Sequence, residues 1–146
     1  TGGTLEMIQL WVNLRSSKKM SQPRYQSIRK AQIPNVAFPN ALVEGRVIAG
    51  DLLGITGPAQ TLSPINVWDL RFAASGAAEL RIPDGHTPLI VVQSGNITTN
   101  DASLLPQELA LFERDHETIL LEAKEASRVL VLTGEPLDEP IVGHGP

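Results

Sequence analysis

The stretch RIPDGHTPLIVVQSGN, from Arg81 to Asn96, decides the fold. Pro83-Asp84-Gly85 joins a fixed φ, a short polar side chain and a residue free to take positive φ, which predicts a turn. Leu89, Ile90, Val91 and Val92 follow as a continuous apolar run bounded by turn residues, the pattern of a strand buried on both faces. Ser94-Gly95-Asn96 predicts a second tight turn. The stretch thus belongs in the middle of a β core.

The whole chain sets the bounds. Its 146 residues suffice for one domain with a real core. Hydrophobic residues make up 42% and charged residues 19%, an ordinary globular balance. The net charge of -4 offers no positive field for a phosphate backbone, so direct nucleic-acid binding is disfavoured. With no cysteine, disulfides and thiolate metal sites are excluded. No apolar run approaches the roughly 18 residues of a membrane span, and no charged-then-apolar leader opens the chain. Thr1, with the first methionine at Met7, reads as the start of a processed or cut chain. Eleven prolines and twelve glycines favour a turn-rich β protein.

On either side of the central stretch, strands are predicted by alternation. In Leu5 to Leu14, Ile8, Leu10, Val12 and Leu14 face one way and Gln9, Trp11 and Asn13 the other. Lys18-Lys19 reads as a solvated loop. Ala31 to Asn40, with Pro34 and Pro39, reads as an irregular connector, and a strand is expected around Arg46 to Ala49. Gly45 with Gly50-Asp51 lacks the lysine and hydroxyl of a phosphate loop, and Asp51 would repel the phosphate. Trp68, Leu70 and Phe72 alternate with Val67, Asp69, Arg71 and Ala73, and Trp68 and Phe72 are expected to pack in the core or at its rim. With only 4% aromatic residues, the chain has too few rings for a base-stacking platform. Asn96-Ile97-Thr98 reads as a chance glycosylation match, and Thr98 to Ser103 as a polar loop. From Pro106 to Leu132, composition favours a helix. Steps of two at Leu109/Leu111, Ile119/Leu121/Ala123 and Val129/Val131 instead predict three short strands.

Three tracts carry a family resemblance: Ile8 to Leu14 (IQLWVNL), Lys19-Met20 with Pro23 to Gln26 (PRYQ), and Gly134 to Pro146 (GEPLDEPIVGHGP). They resemble the pirin family, whose members are bicupins, two cupin barrels in one chain. The resemblance implies an all-β fold, a cupin-type (RmlC-like) double-stranded β-barrel or jelly-roll sandwich. It also implies that residues 1-24 are an edge strand of an amino-terminal cupin plus linker, and that residues 25-146 are the carboxyl-terminal cupin. For the intact family it implies iron and quercetin 2,3-dioxygenase-type cleavage of a flavonoid. In eukaryotic members it implies the role of a redox-responsive transcription cofactor, with a cytoplasmic or nuclear location.

A metal-binding cupin needs two histidines and a glutamate before the glycine that closes its strand pair, and a further ligand on a later strand. With Gly95 as that glycine, the family pattern falls on Arg81, Pro83 and Thr87, and the later histidine near Leu120; only Glu122 is acidic. No metal, cofactor or catalytic residue is therefore expected in this segment. His86, His116 and His144 are scattered and read as surface or capping histidines. Ser94 and Ser103 lack a nucleophile-elbow context. Glu108, Glu113, Glu117, Glu122 and Glu125 read as solvated edges and turns. The expected role is structural and partner-binding, with the amino-terminal cupin half first among protein partners. The rival is a dioxygenase whose iron lies in the other barrel, with Gln9 and Trp11 facing its pocket. Separated from that barrel, the segment is expected to expose an apolar face and to dimerise or aggregate.

Overall fold

The computed structural model describes residues 2-3, 5-100, 102-115 and 117-143. Among these described residues twelve strands run in chain order: β1 (Asn35–Ala37), β2 (Val43–Ala49), β3 (Asp51–Leu52), β4 (Ile55–Thr56), β5 (Ile65–Phe72) and β6 (Ala77–Arg81), then β7 (Thr87–Ser94), β8 (Ile97–Thr99), β9 (Ala102–Leu104), β10 (Leu109–Leu111), β11 (Thr118–Ala123) and β12 (Ser127–Gly134). They form a six-stranded sheet, β1-β2-β5-β12-β7-β10, a four-stranded sheet, β6-β11-β8-β9, and the β3-β4 hairpin. Every paired strand is antiparallel. The two large sheets face each other as a sandwich, as the cupin-type reading of the sequence expects.

The core lies between the sheets. Trp68 and Leu70 of β5, Ile90 and Val92 of β7 and Val129 and Val131 of β12 meet Leu80 of β6, Ile97 of β8 and Ile119 and Leu121 of β11. The period of two predicted from Pro106 to Leu132 yields β10, β11 and β12, so pattern overrides helix propensity there. Gly95 holds φ +82°, and a Cβ at that position would sit 2.1 Å from Ser127 Oγ, so the turn into β8 requires glycine. Gly50 is similarly constrained at φ +73°, with Asn66 Oδ1 where a Cβ would lie. Asp51 beside it accepts a hydrogen bond from the Gly54 amide at 3.0 Å and shapes the β3-β4 turn.

Four local expectations change. Val36 and its neighbours extend the sheet edge as β1 rather than an irregular connector, because Val47 N donates to Pro34 O at 3.1 Å and the ladder continues from there. The polar loop expected from Thr98 to Ser103 is a hairpin of β8 and β9, with Thr99 buried. β7 is one strand in from the sheet edge and is buried on one face only: Ile90 and Val92 are fully buried, Leu89 and Val91 half-buried. Leu5 to Leu14 has no regular structure, is exposed except for half-buried Leu14, and pairs with no strand among the described residues. Its alternation is that of a strand, but a strand needs a ladder partner.

Candidate functional site

Burial alternates along the strands and decides which residues could line an interior site. In β6 and β7 the inward positions are Ala78, Leu80, Ile90 and Val92, with Ile82 buried between the strands; in β11 they are Ile119, Leu121 and Ala123. Arg81, Pro83, Leu120 and Glu122 are exposed and Thr87 is half-buried. The positions matched to the cupin ligands therefore fall on the outer side, while the buried positions beside them hold Leu80, Ile82, His86, Pro88, Ile119 and Leu121. Neither set fits an iron centre, which needs imidazole and carboxylate converging on one point. Among the described residues, no three His, Asp or Glu side chains gather closely enough to hold a metal ion.

One end of the interior is polar. Asn66 and Thr133 are register partners on β5 and β12, and Asn66 Nδ2 donates to Thr133 Oγ1 at 2.8 Å. His86 Nδ1 lies 2.9 Å from the same hydroxyl, and all three side chains are buried. Thr133 can accept from Asn66 and donate to Nδ1 only if His86 is neutral with its proton on Nε2. Burial holds the imidazole below its ordinary value of 6.5, opposed by the Glu135 carboxylate. The sequence reading of His86 as a surface or capping residue is corrected here: the turn at Gly85 folds the ring back under the end of β12.

The outer face of the six-stranded sheet is built differently. Asp69, on β5, is 3% exposed although it points outward. It is covered by Arg46 of β2, whose Nε donates to Asp69 Oδ2 at 3.1 Å and whose Nη2 closes a salt bridge to the same oxygen. Arg128 of β12 approaches from the other side, 3.8 Å from Asp69 and 3.8 Å from Glu6 of the amino-terminal segment. That segment passes over the sheet and leaves a groove of about 350 Å³. Leu10, Trp11 and Val12 form one wall and Val67, Leu89 and Leu132 the other, with Ser63 and Glu135 supplying polar groups. An apolar cleft with a few polar groups is the usual form of a binding site.

Trp11 lines this groove and is 86% exposed; Gln9 is exposed and lies outside the lining. Ser94 is exposed, and Ser103 Oγ donates to Asn96 Oδ1 at 2.9 Å. Glu108, Glu113, Glu117, Glu122 and Glu125 are all exposed. His116 and His144 lie outside the described residues. The Asp69 cluster went unread in the sequence, although Arg46, Asp69 and Arg128 each stand at an outward position of a predicted strand. Register sets Arg46 directly opposite Asp69; Arg128 stands two residues before Leu130, the β12 partner of Asp69, and reaches it diagonally.

No helix among the described residues is long and apolar enough to cross a membrane. The family model of the pirin C-terminal cupin domain matches residues 67–146. The chain is 49% identical, over all of its length and 51% of the relative's, to a Pseudomonas aeruginosa protein named "Putative quercetin 2,3-dioxygenase". It is 34% identical to human pirin, over 95% of this chain and 49% of that one. A crystal structure of quercetin 2,3-dioxygenase from Acinetobacter baumannii superposes with a TM-score of 0.86 at 42% identity, over 93% of this chain and 48% of that one. The chain thus spans about half the length of the curated relatives it matches. With its antiparallel sandwich and these matches, the chain belongs to the pirin family, as a pirin carboxyl-terminal cupin domain.

Proposed function

We propose that this cupin is the metal-free half of a two-barrel protein and that it works through the outer face of its six-stranded sheet. The observation that carries this reading is the contrast between an interior packed with apolar side chains and an outer face with an open groove. On this reading residues 1-24 are the edge strand and linker of an amino-terminal cupin, which docks over Arg46, Asp69, Arg128 and the apolar residues around them. Leu109 and Leu111 on the edge strand β10, at 54% and 66% exposure, extend the docking area. A redox-responsive transcription-cofactor role, cytoplasmic or nuclear and with further protein partners, is supported by the likeness to human pirin.

A second reading rests on the names of the Pseudomonas and Acinetobacter relatives. In it the whole protein is an iron-dependent quercetin 2,3-dioxygenase with its metal in the other barrel. This half then closes the flavonoid pocket, Trp11 supplying a flat apolar surface. Sedimentation velocity of the purified chain across a concentration series tests the docking face that both readings share. Concentration-dependent association, abolished by Leu111→Lys, is the expected result; a monomer at every concentration contradicts it.

A further inference from the structure

The tract Gly134 to Pro140 (GEPLDEP) is part of the family resemblance and, from Glu135 on, lies outside the sheets. Glu135 follows directly on β12, and Pro136 carries no N–H that a ladder would have to satisfy, so the chain can leave the sheet here. Its two glutamates are spaced so that each meets the same distant segment. Arg15 Nη2 donates to Glu135 Oε2 at 3.0 Å and to the carbonyl of Pro136 at 3.4 Å, and its Nη1 reaches the carbonyl of Leu137 at 3.5 Å. Glu139 takes the next residue with both oxygens: Ser16 N donates to Oε2 at 2.8 Å and Ser16 Oγ to Oε1 at 3.1 Å. These partners lie 120 to 123 residues apart in sequence. Only the fold brings them together.

We propose that Glu135 and Glu139 form a clasp that fixes the crossing chain at Arg15-Ser16 and thereby positions Trp11 over the groove. Leu10 to Asn13 lie just upstream of the clasped pair and form the groove's outer wall. Apart from the clasp, the wall is held by exposed apolar contacts and by the long Glu6–Arg128 pair, 3.8 Å apart, which fix its position only loosely. A guanidinium bound to a carboxylate and two carbonyls, followed by a bidentate carboxylate, fixes both the place and the direction of the chain. Glu135 and Glu139 are thus positioning residues for whatever enters the groove. The clasp rests on the reading of the outer face as a working surface, but its test does not depend on any partner.

Limited trypsinolysis of the intact chain tests it. The rate of cleavage after Arg15 is divided by that after Arg24, an exposed site that the clasp does not touch. Replacing both glutamates (Glu135→Gln with Glu139→Ala) is expected to raise this ratio about fivefold, since cleavage follows the population of the locally opened segment. Near-ultraviolet circular dichroism checks the fold. Should the double variant lose it, Glu139→Gln alone and the unsubstituted chain at about 1 M salt, where exposed charges are screened, give the same comparison. The expected result is a raised ratio in each; a ratio unchanged in all of them overturns the clasp.

Discussion

The two faces of the six-stranded sheet are made by the same strands and could hardly differ more. Inward, Trp68, Leu70, Ile90, Val92, Val129 and Val131 are all at most 1% exposed. Outward, the neighbouring positions hold Arg46, Asp69 and Arg128, half-buried Val67 and Leu89, and exposed Leu109 and Leu111. The inner face is finished: its apolar area is already out of water, and adding a ligand set there would mean burying charge in an aliphatic medium. The outer face is unfinished. Its one buried carboxylate is neutralised by two guanidiniums, while its apolar side chains still lie open to solvent.

Substitutions on the two faces should separate accordingly. Leu70→Ala, on the inner face of β5, is expected to cost about 2 to 5 kcal/mol in denaturant unfolding, because the cavity cannot collapse. Leu111→Ala, outward on β10, should stay within about 0.5 kcal/mol. Equal costs would erase the distinction. Asp69→Ala is expected to lie between them, at about 1 to 3 kcal/mol. It strands Arg46 and Arg128, but both guanidiniums retain some access to water. A neutral result would show the Asp69 cluster to be inessential to the isolated fold. Trp11→Ala should leave unfolding unchanged within about 0.5 kcal/mol and yet weaken self-association in sedimentation, which places the residue's value in the interface.

The smallest effect concerns His86. Because its folded-state pKa is lowered by burial, the unfolded chain takes up a proton first as the pH falls. Above 6.5 both states are neutral at this site and it contributes no pH dependence. Below 6.5 stability falls until the folded imidazole also titrates. Unfolding of the chain and of His86→Asn at pH 7.5 and pH 5.5 isolates this part of the slope. An identical slope in both would mean that burial does not lower the folded-state pKa of His86.

Much of the fold was legible because strands announce themselves twice, by turn residues and by a period of two. Pro83 to Gly85, Gly95 and the alternations at Trp68 to Phe72 and Ile119 to Ala123 all led to the correct elements. The hairpin of β8 and β9 was missed because Thr98 to Ser103 is polar, and its pairing depends on cross-strand partners that composition does not reveal. The buried His86 escaped for a similar reason. Nothing local to Gly85-His86 indicates that Thr133, 47 residues away, will offer it a hydroxyl. That the positions matched to the cupin ligands, Arg81, Pro83, Thr87 and Leu120, lie on the outer side was not legible, because spacing along the chain does not say which face of a strand a residue takes. Leu5 to Leu14 was read from its alternation, which shows what the segment could pair as but cannot supply the partner strand.

The central claim is that the interior of this half is closed to a metal while its outer face is open to a partner. Iron content by mass spectrometry, after loading the purified chain with ferrous iron and desalting, tests it most directly, with quercetin turnover followed on the same sample. The account predicts far less than one iron per chain and no turnover. One iron bound per chain, with turnover, would contradict it and mean that the ligands lie elsewhere than at Arg81, Pro83 and Thr87.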